Sequence, residues 1–183
     1  LTGNFVTVRS GYRPAASLLS SSYNNTFVNN TFQVLSGTGY GFVFSVVSNN
    51  SLINNTISVL TTYAGVYLAA SSNNFVSSNN VTTYDNNGIE FYSNASNNVI
   101  SSNNISVGRW GRPIYLTLNS INNSFASNRI YAPAGAPAIL GYIATGNNYH
   151  NNSATFTNDT LSGDYCIAIL QHSYVTLTNV TYN

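Results

Sequence analysis

The sequence predicts an all-β solenoid: a single-stranded right-handed parallel β-helix of about seven coils. Three observations predict it. An apolar anchor bracketed by asparagines recurs every 24–25 residues, a second apolar segment with period-2 alternation follows each anchor by about fourteen residues, and no stretch shows a capped helical period over ten or more residues.

The anchors are Phe27, Leu52, Val76, Ile100 and Phe125. Two residues before them stand Asn25, Asn50, Asn74, Asn98 and Asn123, and three residues after them Asn30, Asn55, Asn79, Asn103 and Asn128. Five residues after them come Phe32, Ile57, Val81, Ile105 and Ile130. Extending the period reaches His150, which keeps only Asn148 of the pattern, and Val175, which keeps its shape with Ser173, Thr178 and Val180. The second segments read GFVF, GVYL, GIEF, PIYL, AIL and CIAI, with Gly41, Gly65, Gly88 and Pro113 as the turn residues before the first four. Alternation there points Val66, Leu68, Ile89, Phe91, Ile114 and Leu116 inward and Tyr67, Glu90 and Tyr115 outward.

Parallel strands ordinarily need helical crossovers, but a coil that climbs one strand spacing per turn avoids them. Coils ~4.8 Å apart make a rod roughly 30 Å long, right-handed as other parallel connections are. The chain reads as one domain over 1–183, with 1–23 an N-terminal strand or cap segment and 24–182 the repeat coils.

Equal offsets then lie above one another. The columns at −2 and +3 are read as inward ladders, whose amides donate to one neighbouring coil and accept from the other, at bends where asparagine tolerates left-handed backbone. Eleven Asn-x-Ser/Thr sequons run alongside: Asn24, Asn29, Asn49, Asn54, Asn80, Asn94, Asn104, Asn122, Asn151, Asn158 and Asn179. None coincides with the ten ladder positions, so the sequons are expected to face solvent and to carry N-glycans, the only attached groups expected; no cofactor is.

Composition narrows the function. Charged residues make up 5% of the chain, against a usual ~25%, and the net charge of +1 leaves no basic stripe for nucleic acid. Lysine and methionine are absent, the latter even at position 1, which suggests a processed mature form or a fragment. No apolar run approaches the ~20 residues of a membrane span. Cys166 is alone, so no internal disulfide forms, and it reads as a buried apolar residue.

The pattern Asn-x-Φ-x-x-Asn-x-Φ followed by Gly-Φ-x-Φ, with Φ apolar, resembles the parallel β-helix repeat of the pectate-lyase-like superfamily and of NosD-type surface and periplasmic proteins. The resemblance covers roughly residues 24–182. It implies the fold, whereas that fold carries lyases, hydrolases, epimerases, adhesins and inert surface proteins. The Asn, Ser, Thr and Tyr content without lysine also looks like extracellular proteins of thermoacidophilic archaea.

No catalytic or metal-binding residues are expected. Asp85 and Asp159 share one offset and Glu90 and Asp164 another, but each pair is separated by three coils, roughly 14 Å, too far for paired acid–base work on a glycoside. Asp85 is expected to pair with Arg109 one coil on, and Glu90 to sit at the solvated edge of an outward tyrosine stripe. His150 and His172 lack partner ligands. The outward Tyr67 and Tyr115, with Tyr92 and Tyr142, offer rings that stack on sugars or pack at interfaces. The leading expectation is a secreted, glycosylated, non-enzymatic structural protein forming a head-to-tail homopolymer at the cell surface, through uncapped ends such as NFVTVRS and SYVTLTNVTYN. The alternative is a carbohydrate-binding or adhesin module and, after it, an enzyme acting on polysaccharide.

Overall fold

In the computed structural model the chain is described at residues 1–9, 11–109, 111–132, 137–141, 152–157, 160–162, 165–169 and 173–182, with no side-chain account from 133 to 177. Asn148, His150, Asn151, Asn158, Asp159, Asp164, His172 and Tyr142 lie outside the described residues, as does the side chain of Cys166.

The strands stack into three parallel sheets. An anchor sheet holds Thr26–Val28, Ser51–Ile53, Phe75–Ser77, Val99–Ser101, Asn123–Ala126, Asn152–Thr157 and Ser173–Thr178. A middle sheet of eight strands includes Phe5–Val8, Thr31–Val34, Thr56–Val59, Asn80–Thr83, Asn104–Val107 and Arg129–Tyr131. A tyrosine sheet of seven includes Ala16–Leu19, Phe42–Ser45, Val66–Ala69, Ile89–Tyr92 and Ile114–Leu116. The single anchor segment of the sequence reading is thus two strands, bent at the ladder asparagine between them. The N-terminal segment is a coil in its own right, because Phe5–Val8 pairs with Thr31–Val34 and Ala16–Leu19 with Phe42–Ser45.

Leu52, Val76, Ile100 and Phe125 point inward from the anchor sheet. They meet Phe32, Ile57, Val81, Ile105 and Ile130 of the middle sheet and the predicted inward residues of the tyrosine sheet, all fully or almost fully buried. Each such side chain contributes about 1.5–3 kcal/mol by leaving water. The glycine column is a matter of space. A Cβ on Gly88 would stand 2.5 Å from Ile105 Cγ2 and 2.7 Å from the Pro113 carbonyl oxygen, so the corner packs directly on the middle strand.

Both ladders form. Asn74 donates from its backbone N–H (3.0 Å) and its Nδ2 (3.1 Å) to Asn98 Oδ1, and Asn98 does the same to Asn123 Oδ1. The second Nδ2 hydrogen goes to a backbone carbonyl, as from Asn98 to Ser71 at 3.0 Å. Each interior amide is therefore fully satisfied, which is what permits its burial. The +3 ladder starts one coil earlier than the repeat suggested, at Asn4, which donates to Asn30 Oδ1.

One expectation about the bends is corrected. The left-handed residues are not the ladder asparagines but their predecessors: Asn24, Asn49, Asn73, Asn97 and Asn122 before one column, Asn29, Asn54, Ser78, Ser102 and Ser127 before the other, with φ between 53° and 57°. Reversing the chain one residue early turns the following side chain inward. All nine described sequon asparagines are exposed. Some form outer ladders of their own: Asn54 Nδ2 donates to Asn29 Oδ1 at 2.7 Å, and Asn104 Nδ2 to Asn80 Oδ1 at 3.0 Å.

Candidate functional site

The outward face of the tyrosine sheet concentrates the chemistry of the described coils. Register places Glu90 between Tyr67 and Tyr115, as alternation predicted. The corners before these strands add Tyr40, Tyr63, Asn87 and Arg112. Tyr40 stacks on Tyr67 with centroids 4.5 Å apart and meets Tyr63 edge-on at 4.9 Å, and Tyr67 stacks on Tyr92 at 6.0 Å. The Arg112 guanidinium lies 5.1 Å over the Tyr115 ring. The result is a platform of half-buried rings around a single carboxylate.

Glu90 is not the solvated edge residue expected. It is largely buried between its tyrosine neighbours, and its Oε2 accepts a hydrogen bond from Asn87 Nδ2 at 2.9 Å. Burial pushes its carboxyl above the ordinary range, and the Asn87 hydrogen bond and the charge of Arg112 oppose that only in part. Burial, followed by the charge of Glu90, raises the Tyr40 hydroxyl to about 12; burial and then Tyr40 raise Tyr67 further.

The expected Asp85–Arg109 pair does not form. Asp85 Oδ1 is buried without a hydrogen bond, while the Arg109 guanidinium lies 5.9 Å over the Tyr84 ring. The two residues share an offset, but the corner they occupy changes length between coils, so equal offsets there do not superpose. Among the described residues no group of three His, Cys, Asp or Glu side chains is placed to hold a metal ion, and no helix is long and apolar enough to cross a membrane.

At the N-terminal end the platform runs into a pocket of about 510 Å³, lined by Tyr12, Arg13, Thr38, Tyr40 and Tyr63 among others. Sequence reasoning missed this pocket, and Arg112 as well. The only signal was an excess of Tyr and Arg in the segments between repeats.

Stacked parallel coils, two internal amide ladders and an aromatic outer sheet define the class: a parallel β-helix protein. A family model described as "Periplasmic copper-binding protein (NosD)" matches residues 1–165, and the chain belongs to that family. Among curated proteins none matches the sequence significantly. Solved structures of the periplasmic alginate epimerase AlgG share the fold. A mutant form superposes with a TM-score of 0.70 at 17% identity, covering 100% of this chain and 48% of that one. The parent form gives 0.64 at 17% identity, covering 90% and 44%. This chain therefore spans less than half the length of those structures.

These findings overturn the expectation of a non-enzymatic protein: the alginate epimerase with which the chain shares its fold is an enzyme, so the fold gives no ground for setting catalysis aside. Of the four carboxylates only Asp85 and Glu90 are described, so the expected separation from Asp159 and Asp164 falls outside the described residues. The copper in the family's description finds no matching donor set among the described residues. The chain has no methionine, its two histidines and its cysteine lie beyond the described side chains, and no described cluster replaces them.

Proposed function

We propose that this chain is an extracytoplasmic protein that binds an extended polysaccharide across its tyrosine sheet. The observation that carries the reading is the placement of Glu90 within a row of tyrosines, Tyr40, Tyr67, Tyr92 and Tyr115, with Arg112 beside it. Aromatic faces stack on the apolar faces of sugar rings, and the coil spacing of ~4.8 Å presents one such contact after another along the rod. A carboxyl whose hold on its proton is strengthened by burial is suited to exchanging a proton with a bound sugar, so chemistry on the polymer would pass through Glu90. The periplasmic setting in the family's description, and in that of the alginate epimerase, supports the location. Apart from Asn94, the described sequons flank the anchor and middle strands, so glycans placed there would leave the tyrosine face open. The test is affinity electrophoresis of the full chain in gels containing acidic or neutral polysaccharides, with recovered polymer analysed by NMR. Retardation that Tyr67→Ala weakens supports the reading; unretarded migration in every gel refutes it.

A second reading, the filament subunit, draws on the first described coil. Leu1, Phe5 and Leu19 are 56%, 69% and 58% exposed there, and Asn4 and Asn25 are the first described rungs of ladders in which each amide oxygen accepts from the coil before it. Any further coil stacked on this side, from a second copy or from the same chain, would continue both columns. Electron microscopy of the concentrated chain tests it: rods of one coil diameter support the reading, dispersed single particles refute it.

A further inference from the structure

The geometry points to a second binding element: we propose that the N-terminal pocket holds a sugar unit bearing an anionic group, with Arg13 on the anion. This rests on the polysaccharide reading but concerns a separate place, since the pocket belongs to the first coils and Glu90 lies three coil spacings from Arg13, roughly 14 Å. The volume of about 510 Å³ is in the range of small-ligand sites.

Three features give it chemistry. Tyr12, Tyr40 and Tyr63 supply ring walls, and Tyr40 carries the stack onward to Tyr67, so the pocket and the platform form one track. Arg13 brings a permanent cation. Both described carboxylates, Asp85 and Glu90, sit on another coil, so no described acid neutralises it locally. Thr38 lines the same pocket, and its buried Oγ1 has no hydrogen-bond partner, a cost that rotating the side chain toward a ligand hydroxyl or oxyanion would remove. A guanidinium matches a carboxylate or a sulfate with paired N–H donors, which selects for charge where tyrosine alone selects only for ring faces.

The experiment titrates the full chain with glucuronic acid, glucose 6-sulfate and glucose, following tyrosine and arginine NMR signals. Both anionic sugars are expected to bind at least tenfold more tightly than glucose. Arg13→Gln should erase that preference, Arg13→Lys should retain part of it, and Arg129→Gln, on the exposed middle sheet, should leave it unchanged. Preference for only one of the two anions would identify its source as carboxylate or sulfate and still support the pocket. Equal affinity for glucose, or a preference that survives Arg13→Gln, overturns it. The two proposals separate cleanly. Tyr67→Ala is expected to weaken polymer binding while leaving glucuronic acid binding intact, and a chain that binds the small acids but no polymer would refute the platform and keep the pocket.

Discussion

From the anchor strand to the middle strand the register partner advances by five residues in every coil: Thr26 to Thr31, Ser51 to Thr56, Phe75 to Asn80, Val99 to Asn104 and Ser124 to Arg129. From the middle strand to the tyrosine strand it advances by eleven, ten, nine, ten and ten: Thr31 to Phe42, Thr56 to Val66, Asn80 to Ile89, Asn104 to Ile114 and Arg129 to Ile139. The first connection is closed on both sides by amide ladders that tolerate no change of length, because one extra residue would swing an asparagine out of its column. The second has no ladder, and there Tyr40, Tyr63, Asp85, Asn87 and Arg112 differ from coil to coil. Uniform stacking holds the rod together, and the irregular corner supplies its individual chemistry.

Breaking the uniform region should have the largest effect. Asn98→Leu removes the acceptor for the Asn74 N–H and Nδ2 and the Nδ2 that donates to Asn123 Oδ1 and the Ser71 carbonyl, stranding several buried groups at ~1–3 kcal/mol each. A loss of about 3–5 kcal/mol is expected in urea unfolding, against less than about 0.5 kcal/mol for the exposed Asn104→Ala. Equal losses at the two positions would erase the distinction between inner and outer columns.

Gly88→Ala tests how tightly the irregular corner seats. With Ile105 and the Pro113 carbonyl in the way of a Cβ, overpacking should cost about 1–3 kcal/mol by the same measurement. At the platform, Tyr67→Ala should change the midpoint of unfolding little but weaken polysaccharide binding by about 1–2 kcal/mol, five- to thirtyfold in Kd, as read by affinity electrophoresis.

The smallest and most specific effect concerns protons. The folded Glu90 carboxyl titrates above its ordinary value of 4.5, so its share of stability is full below that value and is lost as pH rises through the raised one. Stability should therefore decline across that window, contrary to the usual carboxylate trend, and Glu90→Gln should flatten the profile. A profile unchanged by the substitution would mean that Glu90 is solvated after all.

How far the sequence could be read follows the same division. The core residues, both ladders and the outward Tyr67, Glu90 and Tyr115 were legible because each repeats at a constant distance from an anchor. The αL predecessors were assigned one residue late, since a run such as Asn24-Asn25 or Asn73-Asn74 does not say which asparagine turns the chain and which enters the core. The Asp85–Arg109 pair was misread, and Tyr40, Tyr63 and Arg112 were not placed, because offsets counted across a corner of changing length lose their spatial meaning.

By itself the sequence determined that the chain coils with a period of 24–25 residues, which side chains fill its interior, and that asparagines stand in two inward columns. Periodic burial and obligatory hydrogen bonding leave no other place for those residues. Only the tertiary structure decided that Glu90 is withdrawn from water, that four tyrosines gather around it and that Arg13 and Thr38 line one pocket. Those contacts join residues of different coils across connections of unequal length, where distance along the chain no longer measures distance in space.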